Sequence, residues 1–236
     1  MSNLIVIHFI GFFIILTASL ANAQTRGAGR ANSTSSSISD RQFFGVGVGY
    51  SYPFELKFKS ARLSGVGGES TILTEFESAP VLELDFRAMP KRSLYGLQAG
   101  VVIDFDHKNK STSTLVNGVP NSNSGFEGSK LSVYTLEGSL AARLERFFVT
   151  VGINYSVANF SASPNFIGTV SVKGGNSTQL GFGYFISDHY AIEFMFWRRK
   201  TFKFSSTSTS GVEDSFGLGD AVTSTIALKY FPKLLN

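Results

Sequence analysis

The sequence predicts an all-β chain that closes into an eight-stranded antiparallel up-and-down transmembrane β-barrel. Three observations carry that expectation. First, segments of about 9–11 residues alternate between apolar positions and polar or glycine positions, and that length lets a tilted strand cross a bilayer. Residues 179–199 show it most clearly. Leu180, Phe182, Tyr184 and Ile186 share one face of the first arm, and Tyr190, Ile192, Phe194 and Phe196 share one face of the second, opposite Ala191, Glu193, Met195 and Trp197. Second, short turns alternate with long polar loops along the chain, the layout of bacterial outer-membrane barrels. Third, the polar faces are rich in glycine (Gly45, Gly47, Gly49, Gly96, Gly100, Gly152, Gly181 and Gly183). A water-facing surface has no need of glycine, whereas the interior of a narrow eight-stranded barrel is short of room.

In chain order, residues 1–23 read as a secretory signal peptide: an apolar run ends at Ala21-Asn22-Ala23, an A-x-A cleavage pattern, although no Lys or Arg precedes the run. Residues 24–41 are Ser-, Gly- and Arg-rich and read as a flexible periplasmic linker, because they bury too little to offset chain entropy. The barrel domain is expected over residues 42–236. Its first strand sets Phe44, Val46, Val48, Tyr50 and Tyr52 against Gly45, Gly47, Gly49 and Ser51, and residues 54–59 still alternate. The G-x-G-x-G in this strand is not a nucleotide loop, since no helical pattern follows it.

Strand two sets Leu82, Leu84, Phe86 and Ala88 against Glu83, Asp85 and Arg87, and a turn at 90–93 leads to strand three. There Tyr95, Leu97, Ala99, Val101, Ile103 and Phe105 oppose Gly96, Gln98, Gly100, Asp104 and Asp106. Beyond a long loop, strand four sets Tyr134, Leu136, Leu140, Ala142 and Leu144 against Thr135, Glu137, Ser139 and Arg143, with its turn at Glu145-Arg146. Strand five sets Phe147, Val149, Val151, Ile153, Tyr155 and Val157 against Thr150, Gly152, Asn154 and Ser156. A loop over 159–176 leads into the hairpin of strands six and seven, whose turn is Ser187-Asp188-His189. A loop over 205–220 leads into strand eight, where Val222, Ile226, Leu228 and Tyr230 oppose Thr223, Thr225, Ala227 and Lys229.

Composition narrows the function classes. Charged residues make up 16% of the 236 residues and the formal net charge is +4, too weak and dispersed for a nucleic-acid partner. With no cysteine, disulfide frameworks and thiolate metal sites are excluded. Aromatic residues mark both ends of the apolar face: Phe44, Phe86, Tyr95, Phe147, Tyr190 and Tyr230 at the turn end, Tyr50, Tyr52, Phe105, Tyr134 and Tyr155 at the loop end. These are the girdles expected at two membrane interfaces.

The hairpin GFGYFISDHYAIEFMF, the first strand FFGVGVGYSY and the eight-strand layout resemble the OmpA-like and opacity-type outer-membrane β-barrel superfamily. The resemblance spans the chain beyond the leader and implies a fold more than an activity. Phe231, followed by five further residues, departs from the common ending on the last strand's aromatic.

Charges on the lumen parity, Glu83, Asp85, Arg87, Glu137, Arg143, Glu193 and Lys229, are expected to form an ion-pair network, since charges sealed from water must be paired. A side-chain plug is the favoured reading of that network, a gated ion path the alternative. Arg198 and Lys200 fall on the lipid parity at the outer end of their strand, where they can either meet lipopolysaccharide phosphates or serve as ordinary interfacial anchors. An enzymatic alternative, modification of lipid A or phospholipid, would need His107 within hydrogen-bond reach of Ser111 or Ser113, which spacing alone does not show. A metal on Asp104, Asp106 and His107 is disfavoured, because alternation sends His107 to the opposite face from the two carboxylates. His189 reads as a solvated turn residue. The favoured expectation is therefore a monomeric bacterial outer-membrane protein with a structural, surface-interaction or narrow porin-like role. Its ends are expected in the periplasm and its long loops outside. It is expected to need neither cofactor nor metal, and its expected partners are outer-membrane lipid, lipopolysaccharide and the outer-membrane assembly machinery.

Overall fold

The computed structural model describes residues 41–61, 70–89, 94–121, 127–162, 168–187, 189–208 and 213–232. The expected leader and most of the linker lie outside the described residues, as do the turn at 90–93 and Asp188. Eleven strands are present: β1 (Arg41–Ser51), β2 (Phe54–Ala61), β3 (Ser70–Phe76), β4 (Ala79–Met89), β5 (Tyr95–Val116), β6 (Val119–Asn121), β7 (Lys130–Leu144), β8 (Phe147–Ser161), β9 (Gly168–Phe185), β10 (Tyr190–Ser208) and β11 (Glu213–Tyr230).

They make eight staves. β2 continues β1 beyond Tyr52-Pro53, β4 continues β3 beyond Glu77-Ser78, and β6 folds back on β5 through Asn117-Gly118, both at positive φ (50° and 81°). Every stave pairs antiparallel with its chain neighbour, and β1 pairs with β11 to close the ring, with Val46 opposite Tyr230 and Tyr50 opposite Ile226. The fold is thus the antiparallel eight-stranded barrel that alternation predicts. The staves are longer than expected. Most of the loops expected beyond His107, at 159–176 and at 205–220 are strand, because their Ser/Thr-rich segments continue the ladders.

The wall has two sections of opposite polarity. In the section nearer the tight turns, apolar side chains face outward: Phe44, Val48, Tyr95, Leu140, Phe147, Val151, Phe182, Ile192 and Leu228 are all exposed. That is a lipid-facing belt, and the two girdles stand at its ends. In the loop-end section the sense inverts. Phe54, Leu56, Phe58, Ile72, Phe76, Leu131, Val133, Phe202, Phe204 and Ala221 form a buried apolar core, while Lys57, Glu75, Lys108, Lys173 and Lys203 face out. Rings fill this interior, with Phe54 stacked on Phe76 at 5.3 Å and Phe58 edge-on to Phe204 at 5.0 Å. Water rather than lipid surrounds a wall of that polarity.

On four stretches of the wall the inversion is made by irregularities at one level of the barrel, while Leu131, Val133 and Ala221 keep the inward parity of their own strands. Four times, two successive residues both leave the interior: Tyr52-Pro53, Glu77-Ser78, Phe105-Asp106 and Phe196-Trp197. The ladder register shifts between Asp104 and His107 on β5 and between Met195 and Arg198 on β10. An extra residue reverses which parity faces inward beyond it. Phe54, Leu56 and Phe58 therefore share the sequence parity of the outward Val46 and Val48, yet point inward.

Candidate functional site: a charged layer across the lumen

Between the apolar loop-end core and an apolar floor at the turn end lies a layer of buried charge. The floor is Ala141, Phe148, Phe185, Ala191 and Phe231. Arg87 stands on it, its guanidinium 4.7 Å from the centre of the Phe148 ring and 5.1 Å from that of Phe231, a pair of cation–π contacts. The same guanidinium bonds Asp85 at 3.1 Å and is paired with Glu193. Lys229, from β11 on the other side of β1, is paired with Glu193 and reaches Glu83 and Asp85 at 2.6 Å each. The carboxylates of Glu83, Asp85 and Glu193 are close enough together to hold a metal ion, but the Lys229 ammonium already contacts all three. The cluster carries its own cation.

The layer continues upward through β10. Arg198 donates to Glu137 at 2.8 Å and to the Thr225 hydroxyl at 3.3 Å, and lies 3.7 Å from Glu83. Lys200 pairs with Asp104. Apart from Glu137, the β7–β9 wall of the lumen is neutral: Gln179 donates to the Ser139 hydroxyl at 2.9 Å, and the Thr135 and Ser156 hydroxyls bond at 2.9 Å. Charged pairs on one side and a hydroxyl–amide lattice on the other meet across an interior with room only for side chains.

Six of the seven residues expected in the network are there: Glu83, Asp85, Arg87, Glu137, Glu193 and Lys229. Arg143 is not. It sits at the turn-end rim, donating from Nε to the Glu145 carbonyl at 2.6 Å with its guanidinium 5.3 Å from the Phe185 ring centre. Its place is taken by Asp104, Arg198 and Lys200. Arg198 and Lys200 were expected on the lipid face, and both are fully buried in the lumen. The bulge at Phe196-Trp197 is the physical reason, since it turns the next even-numbered positions of β10 inward. It also corrects Trp197, which alternation places in the lumen and the structure places outside.

His107 needs a similar correction. The register shift on β5 puts Asp104 and His107 inside and leaves only Asp106 out, bonded to the Ser132 hydroxyl at 2.5 Å. His107 Nδ1 lies 2.7 Å from the Glu77 carbonyl oxygen, to which it donates, and its ring meets Phe54 edge-on at 4.9 Å. Ser111 and Ser113 are exposed on the outer wall, so neither shares a compartment with that imidazole. His189 is half-buried rather than solvated, with Nδ1 3.0 Å from the Phe231 carbonyl oxygen.

Burial holds the His107 pKa below its ordinary value, outweighing the Glu77 hydrogen bond and the nearby Asp104, while Lys200 adds to the depression. The unfolded chain takes up a proton near pH 6.5 and the folded chain resists it, so stability is full above about pH 6.5 and falls as pH drops below it. The urea midpoint is expected to fall between pH 7.5 and pH 5.5, and His107→Gln is expected to flatten that dependence.

No family model and no curated protein matches the sequence. Solved structures do match. The outer membrane protein OprG from Pseudomonas aeruginosa aligns with a TM-score of 0.54 at 14% identity, over 81% of this chain and 95% of that one. The outer membrane protein AlkL, solved in lipid bilayers, aligns with a TM-score of 0.49 at 14% identity, over 88% and 98%. The outer membrane protease OmpT from Escherichia coli aligns more loosely, with a TM-score of 0.38 at 12% identity over 84% and 99%. At such identities the likeness to OprG is one of fold: this chain has the fold of an outer-membrane β-barrel.

Proposed function

We propose that this outer-membrane barrel is a closed, non-catalytic one, with a structural or surface-interaction role. The tight turns and the closing ends of β1 and β11 face the periplasm, and the loop-end section stands outside the cell as a rigid β-extension. The observation that carries this reading is the buried charge layer, in which Arg87, Arg198, Lys200 and Lys229 are each paired across the lumen with carboxylates from other staves. A passage for ions would have to break those pairs, and a buried charge stripped of its partner is strongly unfavourable. The ring-filled core above the layer supports the same reading, since it ties the extension together from within. The alternative of an enzyme acting on lipid A or phospholipid finds little support in a His107 committed to the Glu77 carbonyl and walled off from Ser111 and Ser113.

Reconstitution into planar bilayers tests the proposal. The folded wild-type protein is expected to give a flat current trace. Discrete, large conductance steps from wild-type protein would overturn it in favour of a porin-like role.

A further inference from the structure

We propose that a basic patch on the outer wall, centred on Lys173 and Lys203 and flanked by Arg199 and Lys57, binds the phosphate groups of lipopolysaccharide in the leaflet around the barrel. The inference rests on the loop end facing outward, as in the function proposed above.

Lys203 of β10 and Lys173 of β9 are register partners, so their side chains leave the same face directly opposite each other. Both are exposed, and neither is paired with a carboxylate among the described residues. Like charges at about 5 Å between Cβ atoms repel, and a sheet gains nothing from holding them there unless an anion sits between them. Arg199 is held flat against the wall by a two-pronged bond to Asp220, at 2.8 and 2.7 Å. Lys57 stands opposite that same Asp220 across the β2–β11 seam. Four cations on β9, β10 and β2 thus stand around Asp220, a carboxylate that Arg199 already holds. Glu55, on β2 and nearer the membrane, lies across from Glu75 instead. On the far wall Lys130 is satisfied by Asp106 at 3.5 Å.

The height is right for phosphate. Trp197 and Phe196, exposed together at the bulge, mark the edge of the lipid belt. At about 3.3 Å per residue and a tilt of about 40°, Arg199 rises roughly 5 Å above Trp197 and Lys203 roughly 15 Å. That span covers the headgroup layer and the sugars attached to it, where lipopolysaccharide carries its phosphates. The bulge that sends Arg198 and Lys200 into the lumen is the same device that turns Arg199 and Lys203 outward, so this patch replaces the one expected from alternation.

The test is binding of the folded, full chain in detergent to rough lipopolysaccharide and to the same lipopolysaccharide after enzymatic dephosphorylation. Wild-type protein is expected to prefer the phosphorylated form and to lose that preference in high salt. The paired substitution Lys173→Gln and Lys203→Gln is expected to weaken binding about thirtyfold, while Lys130→Gln leaves it unchanged. A heat-modifiable gel shift confirms that each variant folds. Equal binding of both lipopolysaccharide forms, or unaltered binding by the paired variant, overturns the proposal. Intact-cell labelling of Val119→Cys, at an exposed loop-end position, checks the orientation by itself. Conductance checks the closed lumen, so failure of either remains distinct from failure of the patch.

Discussion

Replacing Lys229 with Met is expected to destabilise the folded barrel by about 3–5 kcal/mol, read as a lowered urea midpoint in detergent or liposomes. The reason is what remains. Lys229 contacts Glu83, Asp85 and Glu193 at once, and the ammonium is buried with all three. Without it, three carboxylates crowd a site of low polarity, with Arg87 reaching two of them and Arg198 3.7 Å from the third. Most of the loss is the exposure of this repulsion rather than the worth of any one bond. A paired substitution, Lys229→Met with Asp85→Asn, removes a charge of each sign and is expected to recover part of the loss. If the single variant unfolds at the wild-type midpoint, the layer is not a structural plug.

The second large effect is expected at the seam. Gly49 of β1 lies opposite Ala227 of β11, where the ring closes. A Cβ at Gly49 would overlap the Ile226 carbonyl oxygen and lie 2.7 Å from Ala227 Cα and 2.9 Å from its Cβ. These are backbone atoms and a first side-chain carbon, none of which can swing away. Overpacking in an interior usually costs about 1–3 kcal/mol, and Gly49→Leu is expected to exceed that because the ladder itself must move. The variant should run on gels as the unclosed, heat-insensitive form. Gly118→Ala offers a contrast: no atom lies within 4 Å of its Cβ, so only the cost of its positive φ, about 1 kcal/mol, should appear.

Strand number, antiparallel closure and the outward belt were legible in the sequence because side-chain alternation has a strict period of two. Val46, Val48 and Tyr50 count themselves outward with no further information. The same strictness explains the errors. Alternation carries no record of an inserted residue, and a single bulge misplaces everything beyond it. Arg198, Lys200 and Trp197 were misassigned together, for one cause. One weak signal did point to it: two cations in succession on a lipid parity cost about 0–1 kcal/mol each even near the interface, an expense that a bulge removes. Asp104 and His107 were separated by the same counting, although the β5 bulge between them puts both inside.

The loop-end core was hidden differently. Phe54, Leu56 and Phe58 alternate as visibly as any strand, but only the turn at Pro53 decides that they face in, and Phe202 and Phe204 lie just before the stretch at 205–220 whose Ser and Thr content reads as loop. Arg143 was placed correctly by parity and toward the turn end, but it lies close enough to the rim for Glu145 to satisfy it instead of the network. Which wall of a barrel a charge meets depends on stagger between staves, which no single strand encodes.

All of this turns on the bulge in β10, and the chain's single tryptophan reports on it directly. Trp197 is adjacent to Arg198, and with the bulge it faces lipid at 48% exposure, beside Phe196. Without it, Trp197 would join Glu193 and Met195 in the lumen, and Arg198 would face lipid. Quenching of the fluorescence of the folded wild-type protein by lipids brominated high on their acyl chains separates the two arrangements without any substitution. Strong quenching by those lipids is the predicted result. Emission that brominated lipids leave untouched would put Trp197 inside the barrel and contradict the account.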